Sequence, residues 1–244
     1  MLSDKNWKLE AVLRLALGVF LCLCVGSLLV ALVRGPVDPT APPSVARILI
    51  SALTFQGAAI ALTWRFLREH QTDWQAGFGL GNQGLKAVGW GILLVVIFLP
   101  LGWGLQMASV KAMHTFGWEH SEQLALVALR NTGSPAQLIV LGIVTILLAP
   151  LAEELLFRGV LYPTVKQFGL PRAALWGSSA MFALIHFNVA IFLPLLLLAV
   201  LLVWLYEKTD NLLAPIAAHV TFNAINFALF FVAEDFVRKL PGQS

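Results

Sequence analysis

Apolar residues recur along this chain in blocks long enough to cross a lipid bilayer. A hydrocarbon core of about 30 Å needs roughly 20 apolar residues in helical form, with about 17 as the lower end. Such blocks lie near Leu15 to Val33, Ile48 to Trp64, Ala87 to Val110, Gln137 onward, Ala173 to Phe187, Val189 to Tyr206, and Leu212 to Val232. The pattern predicts an all-α fold, a polytopic transmembrane helix bundle of about seven spans, six to eight in range. Between the blocks, RGPVDPTAPPS (34–44) reads as a short proline-rich loop and REHQTDWQAGFGLGNQGLK (68–86) as a polar, glycine-rich one. Residues 117–134 read as an interfacial helix ending near Gly133.

The first block resembles a secretory signal, but it is too long, acidic residues precede it, and no small-x-small site closes it; a retained first helix is expected. Cys22 and Cys24 fall inside it and are expected as buried thiols rather than a disulfide or metal pair. Neither lipobox nor myristoylation chemistry fits, since Leu23 precedes Cys24 and position 2 is leucine.

Composition agrees with the pattern. The 244 residues are 59% hydrophobic and 12% charged, with a mean hydropathy of +0.82, well outside the soluble globular range. No polar linker separates a second domain. The bundle divides by content into N-terminal helices and interfacial segment (1–136), a core carrying the polar motifs (137–232) and a tail (233–244). Lys5, Lys8, Arg14, Arg65, Arg68, Lys86, Arg158, Lys166, Arg172 and Lys208 fall on one side of the spans, and Arg34, Arg47, Lys111, Arg130, Arg238 and Lys239 on the other. Ten against six predicts a multi-pass protein with a cytoplasmic N-terminus. The net charge of +3 mostly reflects this topology. The expected partner is the lipid bilayer, not nucleic acid, because no basic tract interleaved with aromatics is present.

Against this background LLAPLAEELLFRGVLYP (147–163) sets Glu153, Glu154 and Arg158 into apolar surroundings. The clear helix break that follows is GLPR (169–172). If it is a hairpin tip at Leu170, Glu153 lies 17 residues before the tip and His186 16 after. At about 1.5 Å per residue both stand ~25 Å from it, at nearly one depth. A further hairpin at EKTDN (207–211) returns a helix with His219 and Asn223 at i and i+4, and Asn226 continues their stripe. Polar groups on one face of a span point into the bundle. Neighbours on a helix are about 100° apart, so the two glutamates cannot share a task. Glu154 and Arg158 have the i, i+4 spacing of an ion pair, which leaves Glu153 the freer acid.

These residues resemble the CAAX protease and bacteriocin-immunity family (CPBP), intramembrane glutamic endopeptidases that include the CAAX prenyl proteases. EELLFR (153–158) fits its E-E-x-x-x-R motif, FALIH (182–186) its F-x-x-x-H and HVTFN (219–223) its H-x-x-x-N, in order, over roughly residues 147–230. The resemblance implies that Glu153 and His186 activate a water to attack a peptide carbonyl, that His219 and Asn223 stabilise the oxyanion, and that Glu154 and Arg158 fix the geometry. It implies a metal-independent peptide hydrolase without a cofactor, acting on a membrane-associated peptide or protein, prenylated substrates among the options. General bases need a carboxylate near their water, and a developing oxyanion needs preorganised donors.

Other readings compete with this one. Glu154 with Arg158 has a structural reason to exist as an ion pair, His186 has one as an interhelical hydrogen bonder, and His219 and Asn223 have one as helix glue. Phe182 is expected to pack. His70, His114 and His120 fall in loops, away from the motifs. Glu and His side chains also ligate zinc, but the H-E-x-x-H helix of metalloproteases is absent. A proton-coupled carrier would show repeated broken helices in two halves. A non-catalytic immunity, scaffold or regulatory protein of the same family is the remaining alternative.

Overall fold

The computed structural model describes residues 2–34, 45–81, 83–118, 129–130 and 134–238. Its helices are α1 (Leu9–Arg34), α2 (Val45–Glu69), the short α3 (Trp74–Phe78), α4 (Gly84–Thr115), α5 (Pro135–Gln167), α6 (Pro171–Leu184), α7 (Val189–Thr209) and α8 (Leu213–Arg238). No strand occurs among the described residues. Six of these helices, α1, α2, α4, α5, α7 and α8, are long and apolar enough to cross a membrane, which makes this a multi-pass membrane protein. The seventh expected span is α6, whose 14 residues reach only ~21 Å. It ends just before His186 instead of crossing. The interfacial helix expected over 117–134 lies largely outside the described residues.

Local chemistry sets the boundaries. Ser134 accepts a hydrogen bond from the Gln137 amide, with Pro135 opening α5. Gly169, at φ +77°, takes the left-handed turn between α5 and α6, and Pro171 opens α6. Asn188 caps α7 through the Ala190 amide at 3.0 Å, and Asn211 caps α8 through the Leu213 amide at 2.9 Å.

α5 is not a uniform α-helix. It widens into π-helical turns at Val144–Leu148 and Leu155–Leu161, each ending two residues before a proline, Pro150 and Pro163. A proline inside a helix has no N–H to donate and crowds the carbonyl one turn back, and a wide turn relieves that crowding. The carbonyls left without a partner find one elsewhere. In the first wide turn the Ala149 amide bonds the Val144 carbonyl, so the next amide, missing at Pro150, would have served Thr145. The side chain of Asn223 donates to that carbonyl at 2.8 Å. In the second wide turn the Gly159 carbonyl receives the Trp7 indole N–H at 3.0 Å.

Trp7 belongs to an N-terminal strap over one end of the bundle. The Leu2 amide donates to Glu207 at 3.3 Å and the Ser3 hydroxyl to Asp210 at 3.0 Å. The Trp7 main chain and the Gln167 side-chain amide exchange two hydrogen bonds, while the Lys8 amide donates to His70 Nε2 at 2.9 Å. The ends of α2, α5 and α7 therefore share a face with the N-terminus, and His70 is a structural tie, in keeping with its expected place outside the motifs. The strap side chain of Trp7 joins Phe66, Phe78, Leu155, Val160 and Tyr206 in one core cluster, while α4, α6, α7 and α8 build a second around Val95, Phe182, Leu198 and Ala218. One expectation fails here: Cys22 is half-buried and Cys24 exposed. α1 runs along the edge of the bundle, and much of its apolar surface, Leu13, Leu17, Phe20 and Leu28 included, faces outward.

Candidate functional site

The acidic motif lies where α5 passes from its α-helical stretch Ala149–Glu154 into the second wide turn. Glu154 and Arg158 are fully buried, 0% and 1% exposed, and form an ion pair with Nη1 2.8 Å from Oε1. Arg158 also donates through Nη2 to the Ala199 carbonyl of α7 at 3.3 Å. Its guanidinium carbon stands 4.5 Å from the centre of the Phe182 ring, a cation–π contact in a desolvated place. Phe182, expected to pack, has no exposed surface. It contacts Phe157, His186 and His219 as well.

The i, i+4 reading of Glu154 and Arg158 thus describes the structure, with one addition that the spacing could not show. The same Glu154 Oε1 accepts from His219 Nδ1 at 2.8 Å. His219 is thereby held with its Nε2 edge toward Glu153, at 3.7 Å from Oε2. That separation exceeds a direct hydrogen bond. Glu153, 14% exposed against 0% for Glu154, is the more open of the two acids. His186 donates through Nδ1 to the Phe182 carbonyl at 2.8 Å. A carbonyl can only accept, so in the neutral ring Nε2 keeps its lone pair.

Glu153, His186, His219, Asn223 and Asn226 all line one cavity of about 670 Å³. Four of the sequence-expected residues therefore meet around a common space, and Glu154 with Arg158 stands behind them. Asn223 spends one amide N–H on Thr145, which leaves its second N–H for the cavity. Asn226 is held by Trp103, whose indole N–H donates to Oδ1 at 3.0 Å. Sequence reasoning missed Trp103 and Gln106 of α4, Thr145 of α5 and Gln56 of α2, all in the lining of the same cavity. The available signal was weak: a single amide or indole inside an apolar block. Among the described residues no group of three or more His, Cys, Asp and Glu side chains is placed to hold a metal ion.

Fold and site together define a polytopic helical membrane protein with a glutamate–histidine cluster enclosed among its spans. Residues 135–225 match the model of the Rce1-like family, described as Type II CAAX prenyl endopeptidase Rce1-like. That segment carries all three motifs and is similar to the CAAX protease family that they resemble. Two curated relatives are the UPF0177 protein YxdF of Lactococcus lactis subsp. lactis (strain IL1403), 30% identical over 106 residues, and the uncharacterized protein YpbD of Bacillus subtilis (strain 168), 36% identical over 83. The first match covers 43% of this chain and 56% of the relative, the second 32% and 40%. No solved structure matches.

Proposed function

We propose that the protein is an intramembrane glutamic endopeptidase that cleaves a membrane-associated or lipid-modified peptide with a water activated by Glu153 and His186. The observation that supports this best is the pairing of an open acid with an oriented histidine: Glu153 faces His219 Nε2 across 3.7 Å, while Glu154, itself tied to Arg158, holds the other ring nitrogen. Glu153 takes a proton from the water as its oxygen attacks the scissile carbonyl, and His186 Nε2 accepts a second hydrogen bond from that water. The charge that builds on the carbonyl oxygen is met by the free N–H of Asn223 and by His219. Since Nδ1 of His219 is engaged with Glu154, its Nε2 donates when the ring carries both protons. The proton held by Glu153 then passes to the leaving amine as the C–N bond breaks. The direct test is hydrolysis of a peptide library by the purified protein, wild type beside Glu153→Gln. Cleavage by the wild type alone supports the reading. No cleavage by either would favour a non-catalytic immunity, scaffold or regulatory role.

Peptidase activity is expected to survive chelation. The H-E-x-x-H helix is absent, and the Arg158 cation already occupies the carboxylate that a second metal ligand would need, 2.8 Å from Glu154. Incubation with a strong chelator, its removal and an assay check this; complete loss that zinc restores would refute it.

The strapped face is proposed to be cytoplasmic. Arg158, counted on that side from the sequence, is buried inside the bundle, so ten becomes nine against six, and the asymmetry stands. Phe168 and Phe116, exposed at opposite ends of the bundle, serve as reporters once replaced singly by cysteine in a background lacking Cys22 and Cys24. On intact cells an impermeant maleimide should label position 116 and spare 168. The reverse pattern would invert the topology.

A further inference from the structure

The lining of the cavity contains a polar group with no structural employment. Gln56 lies in α2, within a π-helical turn at Leu53–Gly57, inside an otherwise apolar block and outside the family-matched segment. Its side-chain oxygen is shut away from solvent and has no hydrogen-bond partner among the described residues, while the residue lines the cavity that also carries Glu153 and His219. Leaving such an acceptor unsatisfied in apolar surroundings is costly, so its retention calls for a donor that arrives from elsewhere.

The turn that presents it is built with care. Thr54 returns its hydroxyl proton to the Ile50 carbonyl at 2.7 Å. Gly26 of α1 admits the Thr54 side chain so closely that a methyl group there would lie 2.0 Å from the hydroxyl oxygen. The wide turn in turn packs against the Ala149–Glu154 stretch of α5. Wide turns of this kind recur at functional sites because they re-aim side chains out of helical register. Here the re-aimed group is an amide lining the same cavity as the proposed base.

We infer that Gln56 is a substrate-binding residue whose side-chain amide turns into the cavity, so that its carbonyl accepts one main-chain N–H of a peptide lying extended across it. The inference rests on the endopeptidase reading and narrows its substrate class: the peptide must offer a free amide N–H at one fixed distance from the scissile bond, so proline and N-alkylated residues are excluded there. An acyl or prenyl chain alone, which has no donor, would leave Gln56 unsatisfied.

The test compares wild type with Gln56→Met, which keeps length and flexibility but removes the acceptor, on a cleavable peptide and on analogues N-methylated at one amide each. Gln56→Met should raise KM about tenfold with kcat within about twofold, near the upper range for one hydrogen bond. One N-methylated analogue should lose about tenfold in kcat/KM with the wild type and nothing further with Gln56→Met. A purely structural glutamine would change the melting temperature and treat all analogues alike. Gln56→Ala serves if the methionine variant does not fold. Peptide affinity, measured by fluorescence anisotropy in a Glu153→Gln background with and without Gln56→Met, reads binding without cleavage. Unchanged KM and equal methylation penalties in an active enzyme overturn this inference alone. Peptides that bind through Gln56 without being cleaved overturn the endopeptidase reading alone, and a wild type that neither binds nor cleaves any peptide overturns both.

Discussion

Glu154→Gln is expected to destabilise the protein severely. The carboxylate is the shared acceptor of Arg158 Nη1 and His219 Nδ1, both at 2.8 Å, and neither partner can turn to solvent, since Arg158 is 1% and His219 3% exposed. Removing one side of a buried ion pair typically costs about 3–5 kcal/mol, because the remaining charge stays desolvated without a counter-charge. The Phe182 ring and the Ala199 carbonyl would still contact the guanidinium, but neither carries a full negative charge. A lower melting temperature in detergent and a lower yield should follow. Adding Arg158→Met should recover part of the loss, since replacing both partners by apolar groups is far less costly than replacing one. If the single variant melts like the wild type, the pair does not support the fold in the way its geometry implies.

Glu153→Gln should leave the melting temperature unchanged and lower turnover by about 100-fold or more, the low end of general-base contributions. Glutamine keeps the shape and a hydrogen-bonding carbonyl at the cavity wall but cannot take a proton from water. Its loss removes no short ion pair, because the nearest basic nitrogen, His219 Nε2, stands 3.7 Å away. Turnover and melting temperature measured side by side separate the two glutamates. A stable, inactive Glu154→Gln with an active Glu153→Gln would reverse the roles, and two stable, active variants would remove the glutamic-protease reading altogether.

The difference between these neighbours was legible in the sequence because it depends on helical phase alone. The spacing of Glu154 and Arg158 specifies their contact in any helix, and their burial follows from the apolar residues on either side. The levelling of Glu153 with His186 was also legible, since a hairpin tip at 169–172 equates their depths and both line the same cavity. What helical phase could not supply was the partner of Glu154 on another helix. The spacing groups His219 with Asn223 on α8, yet His219 reaches across to α5 through its ring Nδ1, and Asn223 donates to the Thr145 carbonyl in the first wide turn of that helix.

Hydropathy counts residues without knowing where they turn, and α6 shows the consequence. Its apolar block reads as a span, but the helix stops at Leu184 and the chain turns through His186 to begin α7 at Val189. The cysteines of α1 show the same blindness to direction, because lipid and protein interior look alike to an apolar side chain.

The sequence by itself determined the class of protein, the helical segments, the ion pair within one helix and the three motifs, all of which depend on composition or on spacing along a single element. Only the tertiary structure decided that Glu154 serves two partners, that Trp7 and Asn223 satisfy carbonyls of the two wide turns, and that Gln56 of α2 faces the same cavity as Glu153. Contacts between helices depend on how each is rotated and how far its turns are widened, and in a bundle whose faces are nearly all apolar, hydrophobic pattern does not specify that rotation; the few polar groups do, each by the partner it finds across the interior.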